Sequence, residues 1–425
     1  MKRWSDGDPV IIEAGEGFEL IDVNGRRYID GFSSLWCNLH GHHVREIDEA
    51  IMRQLGKIGH STLLGLASTP SIALGERLVR ISPPGLEKVF YSDSGASAVE
   101  IALKLAYQYY HNLGRPRRRF LAFREGYHGD TIGAVSVGGI DTFHSLFAPL
   151  LFEATFADSP NPFYHPAGDN SDQAVLQQVA EALSSAENEY CAVIVEPMIQ
   201  GAGGMLTQPA GFMKKLREIT TRHDVLLIAD EVATGFGRTG RLFACEHEDI
   251  SPDIMCVGKG LTGGYLPVAA TLTTQRVFEA FHKDGDGGTF FHGHTFTGNA
   301  LGCAAAVASV DLIESSGLVD TLGAKVELLR DRLRAFANHP FVADIRQCGL
   351  MIGLDFMQDP HARKRFDAAR RVGASICARA VKMGLMIRPL DDVVVLMPAP
   401  AMDTQTINRM MDILEAAVDE EFSAV

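Results

Sequence analysis

Two apolar runs in the chain end in groups that could do chemistry. Val225-Leu-Leu-Ile-Ala229 runs into Asp230-Glu231, and Met255-Cys-Val-Gly258 runs into Lys259, which Gly260 follows. A lysine amine so placed can form a Schiff base with an aldehyde, and a carboxylate such as Asp230 can hold a pyridine nitrogen protonated. These are the two protein groups that pyridoxal 5'-phosphate chemistry needs most. A third run, from Ala192 through Val195, ends in Glu196. Each group alone reads as readily as a turn residue. Three together, one a lysine between glycines, read as a site.

A phosphate position is legible as well. Tyr91-Ser-Asp-Ser94-Gly95-Ala96-Ser97 joins an apolar run to a helical pattern. Small residues there let backbone amides approach an anion at the positive end of a helix. Capping of the helix by Ser94 or Ser97 is the plainer reading, and the two are compatible. Gly126-Tyr127-His128-Gly129-Asp130 follows another apolar run, so Tyr127 could cover one face of a planar ring. Gly235-Phe-Gly237-Arg-Thr-Gly240 matches the dinucleotide glycine pattern, but no amphipathic helix follows it at once, so a nucleotide role is not expected. His40, His42, His43, His292 and His294 lack carboxylate or cysteine partners at ligand spacing and read as polar loop groups, with no metal expected.

The elements that must position these groups alternate. Strands are expected at 89–92, 119–123, 192–196, 225–230 and 254–257, several nearly all apolar, as in a parallel sheet covered on both faces. Helices lie between them, for example over 97–111. Open parallel sheets bind ligands at the carboxyl ends of their strands, where Glu196, Asp230 and Lys259 fall. Before this region, Asn24-Gly25 marks a hairpin. After it come a long helix and a mixed segment with strands near 346–355 and 393–397. The expected architecture is α/β: a large, mostly parallel sheet domain over 55–310, and a smaller α+β domain from both chain ends, 1–54 and 311–425.

With 425 residues the chain is long enough for two sizeable cores, and a net charge of −14 argues against nucleic acid or an anionic membrane as partner. Seven cysteines without a Cys-x-x-Cys pair suit a reduced, cytoplasmic protein. The N-terminal residues, Met1 to Pro9, lack the apolar core of a signal peptide, and no apolar run approaches a membrane span.

Taken together, Ser92-Asp-Ser-Gly-Ala-Ser-Ala-Val-Glu100, Gly126-Tyr-His-Gly129, Glu196-Pro197, Asp230 through Gly240, Gly258-Lys-Gly260 and Gly298-Asn299 resemble the class III aminotransferases over essentially the whole chain. The resemblance implies a fold type I enzyme dependent on pyridoxal 5'-phosphate, with ping-pong transfer from an amino donor to a keto acid acceptor. Asp30-Gly-Phe-Ser-Ser-Leu-Trp36, Gly126 through Thr131, His292-Gly-His-Thr295 and Ile387-Arg388-Pro389 are similar to the branch that makes 7,8-diaminononanoate from 8-amino-7-oxononanoate in biotin formation. It implies that Lys259 carries the cofactor, that Asp230 pairs with its pyridine nitrogen, and that Tyr127 stacks over the ring and borders the substrate. Backbone at Gly95 and Ala96 would bind phosphate, with Glu196 close to the cofactor. His294 and Thr295 would complete the phosphate site of the other subunit of a homodimer. Trp36 and Gly293 would line the substrate site, and Arg388 would pair with a substrate carboxylate. Leu35-Trp36 stands where users of S-adenosylmethionine carry two tryptophans, which leaves S-adenosylmethionine and lysine both open as donor. Another class III ω-aminotransferase, working on β-alanine or diamines with pyruvate, is the alternative, ahead of a non-catalytic cofactor-binding protein.

Overall fold

The computed structural model describes residues 9–282 and 285–423. The polar N-terminal stretch through Asp8, expected to carry no signal peptide, lies outside them.

A seven-stranded sheet forms the centre. Its order is Leu86–Ser92, Ala269–Thr274, Ile254–Val257, Leu226–Asp230, Tyr190–Val195, Arg119–Phe123, Thr155–Ala157. Tyr190–Val195 and Leu226–Asp230 are buried at every position, as strands covered on both faces must be. Successive residues serve opposite faces. Leu226 and Ile228 pack with Ala98, Ile101, Ala102 and Leu105 of the Gly95–Asn112 helix. Leu227 packs with Val175, Val179 and Leu216 from helices Ser171–Ser185 and Phe212–Arg222. Each such fully buried Leu or Ile contributes about 1.5–3 kcal/mol. The Ala269–Thr274 strand, absent from the expected set, runs antiparallel to both neighbours, so the sheet is mixed.

Both chain ends build the remaining sheets. Ile12–Glu16, Glu19–Asp22 and Arg27–Asp30 are joined by Leu385–Met386, which pairs in parallel with Arg27–Asp30. Val342–Cys348, Met351–Phe356, Val393–Leu396 and Arg388–Leu390 form a four-stranded antiparallel sheet. The span expected as one strand over 346–355 is therefore a hairpin that turns at Gly349 (φ 63°). A Cβ on Gly349 would stand 2.2 Å from the Thr239 carbonyl carbon, so the turn needs glycine both for its conformation and for its close approach. Helices Leu318–Leu333, Val372–Lys382 and Thr404–Phe422 cover these strands around Leu329, Ile376, Met410 and Leu414. The Ala300–Ser315 helix runs across residue 310 without a break. Among the described residues no single helix is long and apolar enough to cross a membrane.

Candidate active site

A cavity of about 410 Å³ opens at the carboxyl edge of the seven-stranded sheet. Five strand ends supply its wall: Ser94, Gly95 and Ala96 after Leu86–Ser92, Tyr127 to Thr131 after Arg119–Phe123, Glu196 after Tyr190–Val195, Asp230 itself, and Lys259 just past Ile254–Val257. Trp36 closes one side from the N-terminal part of the chain.

Asp230 is buried and held from two directions. Its Oδ1 accepts the Val232 amide at 3.1 Å, and its Oδ2 lies 2.7 Å from Nδ1 of His128, also buried. Glu196 accepts the Tyr127 amide and the Gly201 amide, each at 3.0 Å. Burial pushes the Glu196 carboxyl up to about 7, opposed by the charge of His128 and by these two amides. Burial pushes the Tyr127 hydroxyl up as well. Lys259 is pushed below the usual lysine range by burial, against the pull of the Asp230 and Glu196 carboxylates. A lysine so lowered offers more neutral amine near neutral pH. Its φ of 41° lies in the left-handed region, which a non-glycine residue keeps only when its surroundings hold it there. Lys259 Nζ lies 4.9 Å from the Trp36 ring centroid, close enough for a cation–π contact.

These residues fit pyridoxal 5'-phosphate. The start of the 18-residue Gly95–Asn112 helix offers unpaired amides and its dipole to a phosphate. That backbone is kept bare by its neighbours: a Cβ on Gly95 would stand 2.5 Å from Val232 Cγ1, and one on Gly129 would stand 2.4 Å from Ala96 Cβ. Asp230 suits a ring N–H, Lys259 an aldehyde, and Tyr127 a flat wall.

Trp36, Gly95, Ala96, Tyr127, Glu196, Asp230 and Lys259 thus share one cavity. Gly293, His294, Thr295 and Arg388 are not among its lining residues. His294 Nδ1 lies 3.0 Å from Asp93 Oδ2, next to the start of the Gly95–Asn112 helix, and Thr295 is exposed beside it. A Cβ on Gly293 would lie 3.5 Å from Leu64 Cδ2, at the surface. Arg388 is exposed on its strand, and its charge acts on the Tyr127 hydroxyl. Among the cavity residues to which the sequence reading gave no role, His128 and Val232 bear most on the geometry. His128 stood in the quoted Gly-Tyr-His-Gly motif, but its partner is 102 positions away. Val232 is an ordinary apolar residue until it stands over Gly95. The glycine pattern from Gly235 serves packing: Arg238 in its middle is buried, and its guanidinium donates to Ser33 Oγ, Pro398 O and Asn38 O.

A sequence model of the aminotransferase class-III family matches residues 1–418. The chain is 47% identical over 424 residues to the adenosylmethionine-8-amino-7-oxononanoate aminotransferase of Geobacter sulfurreducens, covering 98% of this chain and 94% of that one. The crystal structure of the enzyme of that name from Methanocaldococcus jannaschii superposes with a TM-score of 0.93 at 41% identity, over 99% of this chain and 95% of the other. An ω-transaminase from Pseudomonas jessenii, in complex with PMP, superposes with a TM-score of 0.95 at 29% identity, over 100% of this chain and 95% of the other.

Proposed function

The chain belongs to the class III aminotransferases, which depend on pyridoxal 5'-phosphate, and from that premise we propose that it converts 8-amino-7-oxononanoate to 7,8-diaminononanoate in biotin formation, with S-adenosylmethionine or lysine as amino donor. Relatives at 41–47% identity that bear the corresponding name support this substrate. The observation that carries the reading is Trp36 packed against Lys259 in one cavity with Tyr127, Glu196 and Asp230.

Pyridoxal 5'-phosphate supplies the electron sink that lets a proton leave the donor's α-carbon. The amides at Gly95 and Ala96, beside Ser94, would bind its phosphate. Asp230 would keep a proton on its ring nitrogen, with the Val232 amide and His128 fixing the two carboxylate oxygens. Tyr127 would cover one face of the cofactor's ring. Lys259 Nζ would take the proton from the donor's α-carbon as general base and give it up again elsewhere as general acid. Trp36, backed by the buried Ile199, Met205 and Val395, would present an apolar wall on its side of the cavity and keep water from this transfer. Arg388 would pair with the carboxylate of the acceptor.

In this reading the enzyme is a homodimer in which His294 and Thr295 reach the phosphate of the neighbouring copy. Leu64, beside Gly293, and Phe291 and Phe296, which flank His294 and Thr295 in sequence, support it, being 75%, 78% and 56% exposed, a cluster of large apolar side chains of the kind that marks an interface. A cytoplasmic location is supported by seven cysteines that are all unpaired.

The test is turnover by the purified holoenzyme of 8-amino-7-oxononanoate with S-adenosylmethionine and lysine offered separately. Formation of 7,8-diaminononanoate with either donor supports the assignment and identifies the donor. Turnover confined to β-alanine or diamines with pyruvate refutes it in favour of a general ω-aminotransferase.

A further inference from the structure

Ser33, Ser34, Leu35 and Trp36 have φ values of 52°, 46°, 68° and 71°. This is a complete left-handed turn built without glycine or asparagine. The conformation is disfavoured for every L-residue and normally occurs at isolated positions. The turn closes on itself with only a few backbone bonds, among them the Trp36 amide to Phe32 O at 2.9 Å and the Cys37 amide to Ser33 O at 3.0 Å. Such a turn persists only if groups outside it hold it.

We infer that Asp30 and Arg238 are positioning residues that hold this turn and thereby aim Trp36 at the substrate side of the cavity. Asp30 Oδ1 accepts the Ser34 amide at 2.8 Å, and its Oδ2 accepts the Ser34 hydroxyl at 2.7 Å, with His42 Nε2 3.0 Å from the same oxygen. Arg238 Nη1 donates to Ser33 Oγ at 3.1 Å, and that hydroxyl donates to Met397 O at 2.6 Å. The same guanidinium is anchored on Pro398 O at 3.0 Å and Asn38 O at 2.7 Å. Asp30 is 3% exposed and Arg238 1%, so water cannot stand in for either.

What the turn delivers is the indole. Trp36 is buried, its ring lies over Lys259 Nζ, and a Cβ on Gly201 would stand 3.2 Å from its Cζ3. Its Nε1 is buried with no acceptor among the described residues, so the ring is placed by its turn and its packing and not by a hydrogen bond of its own. Relaxing the turn to right-handed dihedrals would redirect the Cα–Cβ bond of Trp36 and take the indole out of the cavity. The inference rests on the proposed reaction only in treating the Trp36 wall as the substrate's.

Trp4 and Trp36 are the two tryptophans of the chain, so Trp4→Phe leaves Trp36 as the single indole emitter. In that background Asp30→Ala is expected to red-shift the emission and increase its quenching by acrylamide. It should raise KM for 8-amino-7-oxononanoate about tenfold while kcat changes by less than about threefold, the size expected for a lost aromatic contact to substrate. Arg238→Met should behave alike, and Asp30→Asn, which keeps an acceptor for the Ser34 amide, should stay near wild type. Leu35 is exposed at φ 68°, so Leu35→Gly relieves the backbone at little loss of packing. Added to Asp30→Ala, it should return both emission and KM most of the way. Should Asp30→Ala fail to fold, Ser33→Ala removes only the hydroxyl between Arg238 and Met397 and carries the same expectations. Emission and KM unchanged in the variant that folds would overturn the inference, as would a loss that Leu35→Gly fails to restore. An error in the proposed reaction shows separately, as a wild type that does not turn over the oxo acid while the emission series still behaves as stated.

Discussion

Replacing His128 by alanine leaves the Asp230 carboxylate with the Val232 amide as its remaining protein donor among the described residues. The lost contact is 2.7 Å long, joins a carboxylate to an imidazole, and is closed off from water on both sides. A charge-assisted hydrogen bond in such a place is worth about 2–3 kcal/mol, or roughly thirty- to a hundred-and-fifty-fold in kcat/KM if Asp230 acts on the transition state. The assay is steady-state transamination by holoenzyme at saturating cofactor, with thermal unfolding measured alongside. His128→Asn can still donate towards Asp230 Oδ2 and should lose much less. The decisive comparison is a double-mutant cycle with Asp230→Asn. If His128 works through Asp230, adding His128→Ala to Asp230→Asn should cost less than about threefold, because the group it positions is already gone. Losses that multiply through the cycle would refute the coupling and make His128 an independent element of the site or of stability.

Glu196 gives a stability prediction. Burial raises its carboxyl to about 7, so the folded state binds that proton more tightly than the unfolded chain, and stability falls as pH rises from about 4.5 to about 7. Denaturant titrations of the cofactor-free protein should show this slope, up to about 3 kcal/mol across the window, and Glu196→Gln should flatten it; an unchanged slope rules the group out. Arg388→Ala should lower kcat/KM for the carboxylate-bearing acceptor by roughly thirty- to a thousand-fold through KM, with little change in melting temperature because the side chain is exposed. A neutral analogue of the acceptor should react about equally with wild type and variant, and equal discrimination against both would make Arg388 structural. Mixing Lys259→Ala with Thr295→Ala chains should form hybrid dimers with one intact site, regaining about a quarter of wild-type activity from two weak parents; a fully active monomer in sedimentation would end the shared-site reading.

The strand ends were readable because a buried parallel strand leaves an unbroken apolar run, and the first polar residue after such a run falls at the ligand edge. That is why Glu196, Asp230 and Lys259 could be grouped, while the helix expected from residue 97 starts two residues earlier, at Gly95. The Ala269–Thr274 strand was not readable, since in AATLTT a single leucine stands among alanines and threonines, without a strong apolar run. The contact between His128 and Asp230 joins two strand ends through the fold, and nothing in a histidine after a tyrosine announces it. The left-handed turn is hidden for the opposite reason: Ser-Ser-Leu-Trp contains none of the residues that usually mark positive φ, so local preference points away from it and tertiary bonds override that preference. Gly293 and Thr295 are exposed and His294 half-buried in one chain, as the proposed role at a second copy's phosphate would require.

The parallel pairing of Leu385–Met386 with Arg27–Asp30 sets a constraint on biosynthesis. Beside that pairing the Arg26 guanidinium donates to Lys382 O, 356 positions later in the chain. At about 5–20 residues per second a ribosome needs roughly 20–70 s to cover that interval. Through that time the Arg27–Asp30 edge has no partner on one side, and the Ser33 hydroxyl lacks the Met397 carbonyl, as Arg238, once made, lacks that of Pro398. A nascent chain can thus assemble the central sheet, with Asp230 and Lys259 in place, before the wall bearing Trp36 closes. Truncated translation products would keep much of that sheet and present an open strand edge, which marks them as substrates for chaperones and proteases and not as slow enzymes.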